Sequence, residues 1–240
     1  MPASAGMTSV SRTVVQLMVN DFKIFPDAEA VAQAAAEFLY DQIKTCVNAR
    51  AVCHVALPGG STPARCLELL SGKQLPWSSI HWYVGDERCY PPGHPERNDS
   101  MIQQQLWSRI ASPAENLHPI PAELGPELAA EKYSALIDEI GGIDIVVLGI
   151  GVDGHTASLF PDNPPLESRH SVVPVYDAPN HPAERVSLGL TTIQSAGQRI
   201  VLVSGSSKRE ALAQLKQGMP LPIALIGASH WFVDEAAAYK

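Results

Sequence analysis

Short, mostly apolar runs recur along this chain, and stretches with helical periodicity separate them. The runs 51–57, 80–84 and 143–148 do not alternate apolar with polar residues, as a half-exposed strand would. A strand that is apolar throughout has to be covered on both faces, which is the condition of a parallel sheet between helices. Strands alternating with helices predict an α/β fold: a doubly wound, mostly parallel sheet with helices on both faces. At 240 residues the chain can bury one sizeable core. No internal repeat, low-complexity tract or clear linker divides it, so a single domain over 13–240 is expected, after a loose, small and polar segment 1–12.

The helices announce themselves by their caps. Asp27 precedes Val31, Ala34, Ala35, Phe38 and Leu39, which share one helical face. Pro58-Gly59-Gly60 ends the second run, and Thr62-Pro63 is expected to open a helix with Thr62 as its N-cap. Residues 89–97 contain three prolines and a glycine and must form a loop. Helical patterns follow at 101–110, 127–140 and 208–217. Further apolar runs at 186–190, 200–203 and 223–226 read as strands. The Pro-rich stretch 161–182 reads as a surface excursion.

The net charge of −8 argues against a nucleic-acid partner, whose phosphates are bound by Lys and Arg. It also means that an anionic ligand would need a local cluster of cations. No apolar stretch nears the ~20 residues of a membrane span. The N-terminus lacks a charged start followed by an apolar block, so no secretory signal is expected. Cys46, Cys53, Cys66 and Cys89 form no C-x-x-C pair and no zinc spacing. A cytoplasmic protein with reduced thiols, and no metal, is the expectation.

In parallel sheets ligands bind at the carboxyl ends of the strands. Three polar clusters fall there: Gly59-Gly60-Ser61-Thr62, Asp86-Glu87-Arg88 and Asp153-Gly154-His155. The third lies in Gly149-Ile150-Gly151-Val152-Asp153-Gly154, which spells G-x-G-x-x-G. A dinucleotide site would need a long helix after the turn and an acidic residue at the end of the next strand. Pro161, Pro164 and Pro165 forbid such a helix. The turn is better read as carrying Asp153 and His155 to a reaction.

Each cluster also has a plain reading. Gly59 to Thr62 fits an anion on a helix N-terminus, or an ordinary capped turn. Asp86-Glu87-Arg88 is either a solvated rim or an arginine held by a carboxylate to bind a carbonyl or hydroxyl. Lys208 would enter the first turn of a helix, where a cation is unfavourable, so it either reaches an anion or is a plain surface lysine. Arg185, just before its run, is equally ambiguous. Asp153 and His155 alone are too few for a zinc site, and no G-x-S-x-G elbow is present.

With these residues laid out, the chain resembles the 6-phosphogluconolactonases of the glucosamine-6-phosphate isomerase/6-phosphogluconolactonase family. The motifs are Leu57-Pro58-Gly59-Gly60-Ser61-Thr62-Pro63, then Gly85-Asp86-Glu87-Arg88 with Pro91 and Asn98 downstream, then Gly149 through Pro161; weaker ones are Arg185, Gly205-Ser206-Ser207-Lys208 and Trp231-Phe232-Val233-Asp234. Asp162 stands where a glycine is common. Arg97 and Asp99 flank Asn98 where the family usually has a serine and an aromatic, which leaves residues 94–99 without an assigned role.

The resemblance implies the sheet shared with glucosamine-6-phosphate deaminases and ribose-5-phosphate isomerases. It also implies hydrolysis of 6-phosphoglucono-1,5-lactone in the pentose phosphate pathway. His155 would be the general base, with Asp153 the nearest carboxylate to orient it. Arg88 would face the oxyanion or adjacent hydroxyls. Gly59, Gly60, Ser61, Thr62, Asp86, Arg185 and Lys208 would hold the substrate, chiefly its phosphate. The partner is a small sugar-phosphate lactone. No cofactor, metal, nucleic acid, membrane or obligate protein partner is implied. The alternatives are a deaminase, disfavoured because Ser158-Leu159-Phe160-Pro161 lacks its carboxylate, a non-catalytic sugar-phosphate-binding module, and a dinucleotide-dependent oxidoreductase.

Overall fold

The computed structural model describes residues 22–239; the segment 1–12 lies outside them. In chain order the elements are β1 (Phe22–Phe25), α1 (Ala28–Arg50), β2 (Cys53–Leu57), α2 (Ser61–Ser71), β3 (Ile80–Val84), β4 (Asp86–Arg88), α3 (Asn98–Gln105), β5 (Leu117–His118) and α4 (Pro126–Glu139). There follow β6 (Ile145–Leu148), β7 (Val172–Val175), β8 (Arg185–Leu188), α5 (Leu190–Ser195), β9 (Gln198–Val203), α6 (Arg209–Lys216), α7 (Pro222–Leu225), β10 (His230–Asp234) and α8 (Glu235–Ala238).

Seven strands form one sheet in the order β1-β10-β9-β6-β2-β3-β5, and every neighbouring pair is parallel. Every residue of β2 and of β6 is buried. Successive side chains point to opposite faces, so the centre of the sheet is covered on both, as the apolar runs require. Helix α1 packs on α2 and across β9 and β10. Asp27 caps it as expected, accepting from Ala30 N at 2.8 Å. The helix runs on to Arg50, and Ala51 closes it at φ 65°, so β2 starts only at Cys53.

From β2 the chain moves outward to β3, whereas from β6 it moves the opposite way, to β9 and then β10. The reversal falls between the adjacent strands β2 and β6. Their following loops diverge and open a crevice, the place where ligands bind in such sheets.

Three sequence expectations need correction. The run Ile223–Ile226 is not a strand: Pro222 opens the short helix α7, and Ile223 N donates to Gly154 O at 3.1 Å, so the run buttresses the Gly154 turn. The strand beyond β9 is β10 instead, and its neighbour β1 completes that edge. The stretch 161–182 is not only surface excursion. It contains β7, which pairs antiparallel with β8, and β8 pairs with β4 in a second sheet of order β4-β8-β7. Pro174 is accommodated because β7 is an edge strand. Thirdly, Thr62 is not the N-cap of α2. That position belongs to Gly60, at φ 104°, and the Thr62 hydroxyl bonds Ser204 Oγ at the end of β9 instead.

Candidate active site

The crevice is a cleft of about 380 Å³, within the usual range for small-ligand sites, roughly 300–1,000 Å³. The loop after β6 forms one wall. Gly154, at φ 82°, lets the chain turn so that its N–H bonds Gly151 O at 3.2 Å, while Gly151 N bonds His155 O at 2.8 Å. This closed turn folds Asp153 back onto His155: Oδ1 lies 2.5 Å from Nδ1 and also accepts the His155 backbone N–H at 3.1 Å. The sequence spacing left the orienting carboxylate open, and the turn assigns it to Asp153. Burial works to raise the Asp153 carboxyl, but attraction to His155 and the hydrogen bonds outweigh it and hold the group below its ordinary value. With Nδ1 engaged, Nε2 is the nitrogen left for the cleft. No helix follows: Thr156 and Leu159 pair in an isolated bridge, so the dinucleotide reading lacks the N-terminus on which a pyrophosphate would sit.

The loop after β2 forms the opposite wall. Gly59 is essential to its shape, because a Cβ there would lie 2.0 Å from Asn98 Oδ1. Asn98 therefore packs directly on the loop, and its Nδ2 donates to Asp86 O at 2.7 Å. The first turn of α2, from Ser61, presents free N–H groups and the positive end of the helix to the cleft. Lys208, one residue before α6, reaches the same space. Burial lowers its pKa, with Asp153 opposing.

The small sheet supplies two more cations. Arg88 on β4 and Arg185 on β8 are directly paired across the ladder, and like charges at opposed positions repel. Arg185 is 6% exposed. Its Nη2 donates to Asn180 O at 2.9 Å, and burial lowers its pKa, with Asp86 opposing and Arg88 adding to the fall. Arg88 Nε is buried with no hydrogen-bond partner among the described residues. Repulsion, burial and an orphaned donor together leave this pair with unspent positive charge and donor capacity, which an anion or a polarised carbonyl can take up.

Nine of the ten sequence-derived site residues, Gly59, Gly60, Ser61, Thr62, Asp86, Arg88, His155, Arg185 and Lys208, line this one cleft. Asp153 stands behind His155, on a neighbouring apolar groove of about 970 Å³. Asp86 is turned into the protein: Oδ2 accepts from Ser158 Oγ at 2.6 Å. Glu87 is no solvated rim. It is fully buried and accepts the backbone N–H groups of Arg88, Asn98 and Asp99 at 2.8 Å each. Burial, helped by Asp99, pushes its carboxyl up to about 7.

Sequence reasoning gave no role to Asn98, Ser158 or Ser204. It also passed over the use made of Asp234, whose carboxylate accepts Gly205 N at 2.9 and 3.0 Å and so holds the loop that carries Lys208. Among the described residues one group has metal-ligand character: Cys46, Cys53 and Asp144, at the amino ends of the central strands β2 and β6, opposite the cleft. The Asp144 carboxylate is already taken by Arg50 and by His54 N.

A parallel α/β sheet with a cation-rich cleft at its switch point, and a carboxylate-oriented imidazole in that cleft, defines an enzyme scaffold for small anionic metabolites. The chain belongs to the family described as glucosamine-6-phosphate isomerases/6-phosphogluconolactonase, whose sequence profile matches residues 26–234. It is 32% identical to the 6-phosphogluconolactonase of Nostoc sp., over 92% of this chain and 98% of the relative. It is 34% identical to the human 6-phosphogluconolactonase, over 90% of this chain and 91% of the relative. The crystal structure of 6-phosphogluconolactonase from Thermotoga maritima superimposes with a TM-score of 0.83 at 27% identity, covering 90% of this chain and 99% of that one. A monomeric glucosamine-6-phosphate deaminase shares the fold, with a TM-score of 0.79 at 23% identity over 91% of this chain and 98% of that one.

Proposed function

We propose that this chain hydrolyses 6-phospho-D-glucono-1,5-lactone to 6-phospho-D-gluconate, the lactonase step of the oxidative pentose phosphate pathway. The observation that carries this reading is that His155, backed by Asp153, stands in one cleft with Arg88, Arg185 and Lys208. Ester hydrolysis needs a base for water, donors for the oxyanion and an anchor for the distant phosphate, and these residues supply all three.

His155 Nε2 takes a proton from water as the water oxygen bonds to the lactone carbonyl carbon. Negative charge then builds on the carbonyl oxygen, where the Arg88 guanidinium stabilises it. When the bond from that carbon to the ring oxygen breaks, His155 returns the proton to the departing oxygen. The sum is one lactone and one water consumed and one hydroxy acid formed. Asp153 holds the ring in the tautomer with hydrogen on Nδ1 and favours the imidazolium that forms transiently. The N–H groups of Gly60, Ser61 and Thr62, with Arg185 and Lys208, hold the phosphate. Gly59 and Asp86 shape the cleft through Asn98.

A deaminase of this fold would need a carboxylate just beyond the histidine, and Ser158-Leu159-Phe160-Pro161 offers none. The four free cysteines support a reducing, cytoplasmic setting. No described helix is long and apolar enough to cross a membrane.

The test is a lactone-hydrolysis assay corrected for spontaneous ring opening, with glucosamine 6-phosphate in parallel. Acceleration on the phosphorylated lactone, with no ammonia from the amino sugar, is expected. Ammonia release without lactone hydrolysis would replace this reading by the deaminase.

A further inference from the structure

Between Arg88 and Asn98 runs a loop of unusual composition, with Pro91, Pro92, Gly93 and Pro95, and it has no regular structure of its own. It nonetheless fixes the two cleft residues that flank it, Arg88 and Asn98. The backbone carbonyl of Glu96 accepts from Arg88 Nη1 at 2.8 Å. Among the described residues this is the one hydrogen bond made by the Arg88 guanidinium, so Glu96 O sets where Arg88 points. Two residues on, Asn98 fills the space left by Gly59.

Arg97 lies between these two residues, and its side chain faces the opposite way, into protein. It is 2% exposed. Asp99 receives it as a fork, at 2.9 Å from Nε to Oδ1 and 2.6 Å from Nη2 to Oδ2. The remaining donors go to Tyr90 O at 2.9 Å, Ile120 O at 2.9 Å and Glu123 Oε2 at 3.2 Å. The guanidinium thus ties the start of the loop (Tyr90) to its end (Arg97) and both to a separate segment (Ile120). Glu87, 3.9 Å from Arg97 Nε, gathers the N–H groups of Arg88, Asn98 and Asp99. A buried ion cluster is by itself weak support for stability, because desolvation offsets most of the attraction. A planar fork does fix direction, which an apolar filling would not.

We propose that Arg97 and Asp99 form a positioning clamp that aims Arg88 at the reacting carbonyl by holding the Glu96 carbonyl in place. The clamp touches no substrate atom. It acts through one backbone oxygen, and it rests on the reading that Arg88 stabilises the oxyanion.

A double-mutant cycle on kcat tests this. Because Arg97 is buried among carboxylates, its removal endangers the fold. Asp99→Asn, at a side chain 15% exposed, carries the test, and Arg97→Lys, which keeps the charge and loses the fork, repeats it. Asp99→Asn is expected to lower kcat by roughly 3- to 100-fold with KM changed less than about twofold, the range of coupling between residues in one network. In an Arg88→Lys background the same substitution is expected to have almost no further effect. Asp99→Glu is expected to recover most of the loss. Wild-type kcat in Asp99→Asn, or losses that multiply independently in the double variant, would overturn the clamp and leave Arg88 in its role. Full activity in Arg88→Lys alone would instead overturn the reading of Arg88, and the clamp with it.

Discussion

Asp153 Oδ1 accepts two hydrogen bonds from one residue, from His155 Nδ1 at 2.5 Å and from the His155 backbone N–H at 3.1 Å. Ring and backbone are thus held by the same oxygen, and the imidazole has little freedom to rotate away from the cleft. A positioned general base contributes roughly 10²–10⁴-fold. His155→Asn is expected to lower kcat by that factor while 6-phosphogluconate still raises the melting temperature. Asp153→Asn is expected to lose less, because the base remains and only its orientation and charge support are weakened. A His155→Asn variant with wild-type kcat would remove the base from this loop.

The same pair makes Gly151 a sensitive position. A Cβ there would lie 2.0 Å from His155 Nδ1 and 2.6 Å from Asp153 Oδ1. Gly151→Ala is expected to fold, since the methyl meets two movable side chains, and to lose kcat on the scale of the His155 variant. Crystallography of the variant should show the His155 ring displaced. An unmoved ring with full activity would contradict the geometry.

Lys208 is assigned to the phosphate and not to the reacting carbonyl. A charge-assisted contact is worth about 1.5–3 kcal/mol, or roughly a 10- to 150-fold change in binding. Lys208→Ala is expected to raise KM for the phosphorylated lactone by about that factor and to leave hydrolysis of unphosphorylated gluconolactone nearly unchanged. Equal losses on both substrates would take Lys208 away from the phosphate.

At the edge of the large sheet, His118 stacks on Tyr83 with ring centres 4.5 Å apart, and its Nε2 lies 3.1 Å from His81 Nδ1. Burial, then the neighbouring His81 and His54, push its pKa from 6.5 down to about 4. A base lowered in the folded state takes up its proton more readily when unfolded. Its contribution to stability is therefore complete above the ordinary histidine value and is lost as pH falls from there toward about 4. The group is only half buried, so the effect is about 1–2 kcal/mol after allowance for solvent screening. Urea midpoints at pH 7.5 and pH 5 should differ less in His118→Asn than in the wild type. An identical drop would show that His118 does not carry the acid sensitivity.

The cleft was legible in the sequence because strand ends are punctuated. Pro58-Gly59-Gly60 and Gly149 to Gly154 stop their strands with residues that only loops tolerate, and polar groups follow at once. The small sheet was hidden because β4 has three residues and β7 surrounds Pro174, so neither shows a period, and the pairing of β4 with β8 joins segments about a hundred residues apart. The 223–226 run misled because a four-residue apolar stretch does not distinguish strand from helix, and Pro222 decided it. Asn98 was visible as a motif position but not by its role, which lies in the side chain that Gly59 lacks.

Arg88 and Arg185 sit on the small sheet, and the His155–Asp153 pair sits on a loop of the large one. Gly85 is the seam between the two, taking a hydrogen bond from Leu188 N and giving one to Leu57 O, each at 2.8 Å. The guanidinium pair and the proton-transfer pair therefore stand on separate pieces of architecture. Drift in β4, β7 or β8 can move the two guanidiniums while the proton-transfer pair stays intact. Replacing the loop after β6 can exchange the base while the two guanidiniums stay in place. A scaffold divided in this way can carry lactonase chemistry in one lineage and another reaction of phosphorylated sugars in the next without rebuilding its core.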